Sequence, residues 1–254
     1  MGVRVLCLRH AESENVVAGV AGALPPAELT PKGRAQAAEA AERLRGEGVI
    51  RIYASTAVRA RQTAEIIARA LGLREEVVAL RGLVEFGIGR LEGTADPAVR
   101  ARTAEVLRSW VVDGRLGEAV ADGETGHAVV ARVVAAFASI AATHPSEPAT
   151  HPSEPAAHPS EPAAHPSEPA AHPSETAAHP SETAAHPGQL AACGGGTVAL
   201  VGHVGSLTAG LSVLCPGLGE QVWGAPLPHA VPFPVEWDGR SWRCASWPAL
   251  RQDR

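Results

Sequence analysis

Apolar residues fall into two kinds of run along this chain, and their alternation predicts an α/β fold. Short stretches rich in Val, Leu and Ile at residues 3–8, 49–54 and 197–202 read as strands, with a weaker one at 75–80. Between them, apolar positions return every three or four residues in Ala-rich segments, which predicts helices over 31–45, 57–70, 97–112 and 125–142. Strands separated by helices pair in parallel, because each helix carries the chain back to the starting end of the sheet. The tail differs: runs at 231–236 and 241–245 flank Asp238 and Gly239, a strong hairpin signal. The expectation is one α/β domain, a three-layer α/β/α sandwich around a mostly parallel central sheet.

The pattern fails between residues 143 and 192. His144, His151, His158, His165, His172, His179 and His186 recur every seven residues in HPSEPAA or HPSETAA units. Each unit carries proline and no large apolar side chain, so it can neither sustain a helix nor bury a core. Residues 143–192 therefore read as a low-complexity insert, extended and solvated, with polyproline-II character. Residues 1–142 and 193–254 form the domain it interrupts. Histidine-rich tracts can capture metal, but single imidazoles spaced along such a chain lose much conformational freedom in converging. A tandem expansion in a surface loop, where added length changes closure entropy little, is the preferred reading.

Composition refines this picture. The chain is 45% hydrophobic and 19% charged, ordinary values for a globular protein. Six of the 27 acidic residues lie in the repeat, which has no Lys or Arg, so the net charge of −5 belongs to the insert and the rest is close to neutral. A near-neutral body lacks the basic excess that holds a phosphate backbone, which argues against a nucleic-acid partner. No unbroken run of 18 apolar residues predicts a membrane span, and residues 1–10 lack the features of a secretory signal. Leu6 stands where a myristoylation signal needs Ser or Thr. The expected location is the cytoplasm. Cys7, Cys193, Cys215 and Cys244 show no CxxC spacing and are expected to be free.

Two strands end in histidine. The first runs into Arg9-His10-Ala11-Glu12-Ser13-Glu14-Asn15, and the 197–202 strand into His203-Val204-Gly205-Ser206. The carboxyl ends of parallel strands are where open α/β sheets place their ligands. Because side chains alternate along a strand, Arg9 and His10 reach one site only if the chain turns there. Outside the repeat, the other histidines are His127 and His229.

Six segments in order carry a resemblance: RHAESEN at 9–15, LTPKGRAQA at 29–37, IYASTAVRARQTA at 52–64, LVEFGIGRLEG at 83–93, DGET at 122–125 and VALVGHVGS at 198–206. Together they resemble the histidine phosphatase superfamily, in its phosphoglycerate-mutase-like branch, over roughly residues 3–142 and 196–246. The resemblance implies that His10 is the nucleophile that accepts a phosphoryl group, and that Arg9, Arg59 and His203 complete the phosphate pocket. It implies that Glu85 protonates the leaving oxygen and later activates water. The chemistry agrees, since phosphoryl transfer needs dense positive charge around three equatorial oxygens. Two arginine forks and a protonated histidine supply it with no metal or other cofactor. An imidazole attacks through a neutral nitrogen, so a local carbonyl is expected to fix the opposite ring nitrogen of His10.

Other positions follow from the same likeness. Arg61 is expected to face solvent and Glu92 to be structural. Ala11 replaces a common Gly, a tolerable change unless that position needs a positive φ. Asn15 lies one residue further from His10 than the family pattern has it, so Ser13 or Glu14 is expected to share its place on the phosphate-binding rim. Val204 leaves its backbone N–H available to phosphate. Phe86, Trp110, Arg100, Arg102, Arg108 and Arg115 fall in the segment that caps the pocket in this family. The arginines read as a solvated face from which one or two reach an anionic substrate. His127 is expected at a surface helix start, and His229, just before the terminal hairpin, is a lesser candidate to line the mouth.

The implied activity is that of a hydrolase of phosphoric monoesters, of histidine acid phosphatase type, acting on a small phosphorylated metabolite. The short segment between Gly93 and Asp122 favours a phosphatase over a phosphomutase. A binding or regulatory module that has lost catalysis is disfavoured by the joint presence of Arg9, His10, Arg59, Glu85 and His203. The sequence leaves the oligomeric state open.

Overall fold

The structure is a computed structural model that describes residues 2–23, 26–144, 196–224 and 226–248. The repeat from residue 145 onward, and with it the expectation of an extended insert, lies outside the described residues, as does Cys193.

Strand β1 (Arg4–Arg9) is followed by the one-turn helix α1 (Glu14–Val17), then α2 (Pro31–Leu44), β2 (Val49–Ser55), α3 (Val58–Ala70) and the short β3 (Val78–Leu80). Two 3-10 turns, Arg81–Leu83 and Gly89–Leu91, lead to α4 (Pro97–Val111) and α5 (Gly126–Thr143). The order continues with β4 (Thr197–Gly202), α6 (Val204–Leu214), α7 (Gly219–Val222), β5 (Phe233–Trp237) and β6 (Trp242–Cys244). Local chemistry sets the helix starts. Thr30 Oγ1 accepts from Gly33 N at 3.0 Å ahead of Pro31, and Asp96 Oδ1 accepts from Ala98 N at 2.8 Å ahead of Pro97. The strand expected at 75–80 is shorter than its sequence pattern, running over Val78–Leu80, and Glu75 pairs with Arg51. In the tail, Asp238 Oδ1 accepts from Arg240 N (2.7 Å) and Ser241 N (2.8 Å) while Gly239 takes φ +98°, closing the expected hairpin.

The described strands form one mixed sheet in the order β3-β2-β4-β1-β5-β6. β1, β2, β3 and β4 pair in parallel, and β5 is antiparallel to both β1 and β6. Strand alternation sends Val5, Cys7, Val198 and Leu200 to one face and Leu6, Leu8, Ala199 and Val201 to the other. The first face is covered by α4, α5 and α6, the second by α2 and α3, which gives the expected three layers. α5 is the one helix among the described residues long and apolar enough to cross a membrane, although its sequence holds no unbroken apolar run. Here it is a core helix: Val129, Val133, Phe137 and Ile140 are buried against the sheet side, and it packs along α6. Cys7, Cys215 and Cys244 are free thiols.

Candidate active site

Sheet register builds the site. β4 lies between β1 and β2, with Arg9 opposite Gly202 and Ala54 opposite Val201, so three neighbouring parallel strands end level. The residues at those ends are His10, His203 and Ser55. His10 N donates to Gly202 O at 2.9 Å, and the His10 and His203 rings stand 5.0 Å apart, edge to face. Arg59 enters from the first turn of α3. One turn on, Thr63 Oγ1 accepts from Ala11 N (3.0 Å) and donates to Arg59 O (2.8 Å), tying α3 to the end of β1. Ala11 takes no positive φ, so its methyl group is accommodated. The strand ends at Arg9, and the turn lets both Arg9 and His10 line a cavity of about 280 Å³. Arg59, Glu85, His203 and Val204 line the same cavity.

The electrostatics of this cluster are those of an anion site. Arg59 is 1% exposed and His203 1%, and burying positive charge is costly without an opposite charge nearby. Arg9 Nη1 donates to Leu227 O at 3.1 Å, whereas Arg9 Nε and His203 Nδ1 are buried and have no hydrogen-bond partner among the described residues. His10 Nδ1 lies 2.7 Å from Ala11 O. A carbonyl can only accept, so Nδ1 carries the proton and Nε2 keeps its lone pair, as the sequence reading required. Burial, then Arg59 and Arg9, hold His10 well below the ordinary imidazole range, which keeps that lone pair available at neutral pH. Burial, then His10, Arg59 and Arg9, likewise push His203 well below it. The protonated His203 expected from sequence is thus disfavoured by its own surroundings, and a dianion placed among these groups would reverse the balance.

Glu85 reaches the cavity from the loop after β3. Its Oε1 accepts from Phe86 N (3.0 Å) and Ser206 N (2.8 Å), and its Oε2 from Gly205 N (2.9 Å), the last two being first-turn amides of α6. The carboxylate therefore sits beside His203 at a fixed height, with Oε2 the less engaged oxygen. Arg132 on α5 fixes the loop from behind: Nη1 donates to Gly82 O (2.9 Å) and Val84 O (2.7 Å), and Nη2 to Glu85 O (3.2 Å). Glu124 of the DGET segment holds that guanidinium with both oxygens and accepts from Gly87 N at 2.8 Å.

The remaining sequence candidates divide. Asn15 and Arg100 line the cavity. Ser13 does not: it is fully buried and donates from Oγ to Asn15 Oδ1 at 2.8 Å, so it supports Asn15 rather than forming a rim. Glu14 is exposed. Arg61 faces solvent beside Glu65, and Glu92 accepts from Ile88 N at 2.8 Å, both as expected. Arg102, Arg108 and Arg115 pair with Glu105, Asp113 and Glu118 on the surface. His127 is exposed at the start of α5. His229 does not line the cavity: its Nδ1 donates to His10 O at 2.9 Å, with the rings 5.7 Å apart. Sequence reasoning missed Ser55, whose Oγ lies 2.8 Å from His203 Nε2 and so turns Nδ1 toward the cavity. Its signal was its place at the end of the 49–54 strand, level with the strand ends that carry His10 and His203. Arg132 was missed as well, since a single Arg in an apolar helix carries no local signature.

Comparison with known proteins gives a consistent result. The chain matches the profile of the histidine phosphatase superfamily (branch 1) over residues 5–153. It is 32% identical over 143 residues to a protein named "Probable phosphatase" of Schizosaccharomyces pombe, a match covering 49% of this chain and 50% of that one. It is 33% identical over 138 residues to a protein named "Probable phosphoglycerate mutase" of Citrobacter koseri, covering 54% and 62%. The match thus spans half to three fifths of the length of these curated relatives. Among solved structures, a mycobacterial glucosyl-3-phosphoglycerate phosphatase superposes with TM-score 0.66 at 22% identity, covering 97% of this chain and 99% of that one. The α-ribazole phosphatase of Shigella flexneri gives 0.62 at 17%, covering 97% and 95%. At these identities the structural likeness speaks for the fold, and the profile match speaks for descent. The chain belongs to the histidine phosphatase superfamily, branch 1.

Proposed function

We propose that the chain is a phosphomonoesterase that needs no metal and hydrolyses a small phosphorylated metabolite through a phosphohistidine on His10. The observation that carries this reading is the cluster of buried Arg59 and His203 with half-buried Arg9 around a His10 whose Nδ1–H is committed to a carbonyl. His10 Nε2 would attack phosphorus, Arg9, Arg59 and His203 Nδ1 would hold the equatorial oxygens, and the P–O bond would break as Glu85 gives its proton to the leaving oxygen. Glu85, now a carboxylate, would take a proton from water as that water displaces the imidazole, releasing phosphate and restoring neutral His10. Three amides aimed at Glu85 hold it in place for both transfers. The mechanism is that of a histidine-acid-phosphatase-type hydrolase, acting in the cytoplasm and independent of nucleic acid or membrane.

A phosphoglycerate-type mutase is the second reading, favoured by the names of several curated relatives. The single helix α4 between Gly93 and Asp122 supports the phosphatase instead, since a mutase must retain its phosphorylated ligand for return transfer. A panel of phosphomonoesters, assayed with EDTA present, tests the proposal. Wild-type protein is expected to release inorganic phosphate, and His10→Ala to lose activity by several orders of magnitude. Phosphate transfer between esters without release would favour the mutase, and full activity in His10→Ala would overturn both readings.

A further inference from the structure

Resting on the phosphatase reading, we propose that the organic half of the same cavity takes an apolar group, so that the favoured substrates are alkyl or aryl phosphates rather than phosphorylated polyols or sugar acids. The wall beyond the phosphate end is formed by Val16, Val20, Phe86, Ile88, Ala104 and Leu107. Among the described residues, the polar side chains of that half are Asn15, Thr103 and Arg100. The protein itself engages Asn15, Thr103 and one nitrogen of Arg100. Asn15 Oδ1 accepts from Ser13 Oγ at 2.8 Å and its Nδ2 donates to Val20 O at 3.4 Å. Thr103 Oγ1 donates to Val99 O at 2.7 Å. Arg100 Nη1 donates to Gly19 O (2.8 Å) and Ala95 O (3.0 Å), and the residue lies at the exposed rim.

A substrate hydroxyl entering this half gives up water and finds few partners, which lowers affinity by about tenfold or more for each such group. A methylene entering the same space leaves water for apolar wall, which raises affinity by about fourfold. The two effects act in the same direction when an alkyl phosphate competes with a polyol phosphate. The wall also explains why Phe86 and Ile88 are held so firmly: Glu124 and Glu92 accept from the backbone N–H groups of Gly87 and Ile88, fixing the loop that presents them.

The test combines binding and turnover on the full chain. Non-hydrolysable n-alkylphosphonates from propyl to octyl, titrated by calorimetry, are expected to show Kd falling about fourfold per methylene until the cavity is full. In parallel, n-hexyl phosphate is expected to exceed glycerol 3-phosphate and 3-phosphoglycerate in kcat/KM by about tenfold or more, although hexanol is the poorer leaving group. Leu107→Asn is expected to flatten the chain-length dependence. A flat dependence in wild-type protein, or preference for either polyol ester, overturns the proposal. A clear dependence of Kd on chain length without turnover of any ester would instead overturn the phosphatase reading while leaving the apolar site standing.

Discussion

His10 and His203 bind protons far more weakly in the fold than free imidazole does, mainly because both rings are buried. As pH falls through about 6.5, histidines of the unfolded chain take up protons while these two do not. The unfolded state then holds more protons, so stability is present above that pH and declines below it. From pH 7 to pH 5.5 the unfolding free energy is expected to fall, by at most about 2–3 kcal/mol for the pair. Urea denaturation at the two pH values measures this, and stability that stays level or rises toward acid would contradict it. Saturating inorganic phosphate is expected to reduce the loss, because a dianion lets His203 keep its proton. Arg9, His10, Arg59, Glu85 and His203 were legible because each sits in one of the six ordered segments that carry the family resemblance, and the fold brings them round one cavity. Ser55 and Arg132 were not, because their partners lie 148 and 47 residues away and only sheet register and helix packing bring them together.

At the level of elements, the site depends on how closely the Glu85 loop meets the first turn of α6. Gly205 permits that approach: a Cβ there would lie 2.3 Å from Phe86 Cε1 and 2.7 Å from Glu85 Oε1. Gly205→Ala is therefore expected to push Glu85 away from its amides and lower kcat by about 10²-fold, a loss of the size that follows from misplacing a catalytic group by an ångström. Overpacking should also cost about 1–3 kcal/mol of stability. Steady-state kinetics beside urea denaturation separates the two, and an unchanged kcat would show that Glu85 needs no such close support. The strands and long helices were readable from period and caps. The one-turn helices α1 and α7 were not, since four residues hold no period, and the Arg51–Glu75 ion pair joins positions that no local pattern links.

For the molecule as a whole, the insert meets the domain at neighbouring points of one strand. Before it, His144 Nε2 lies 2.9 Å from Tyr53 Oη; after it, Thr197 pairs with Val49. Tyr53 and Val49 are four residues apart on β2, about 13 Å at the rise of a strand. A linker of about eight residues spans such a gap. We propose that residues 144–187 add nothing to the core, in keeping with their composition, and that a short Gly-Ser replacement leaves Tm and kcat nearly unchanged. A fall of several degrees in Tm would show that the repeat docks on the domain. The three-layer architecture was legible because strands and helices alternate so regularly. The strand order was not, because the middle place of β4 depends on a pairing across more than 140 residues of chain.

His10 as the phosphoryl acceptor is the central feature of the proposed chemistry. An aryl ester such as p-nitrophenyl phosphate needs no proton to depart, so Glu85→Ala should still form the phosphoenzyme and should stall before water attacks it. Rapid quench of that variant into alkali, followed by peptide mapping, is the direct measurement. The expected result is a burst of nitrophenol approaching one equivalent per chain, with acid-labile, base-stable phosphate on the His10 peptide and none in the double variant that also carries His10→Ala. A burst without phosphate on His10, or an equal burst in the double variant, would contradict it.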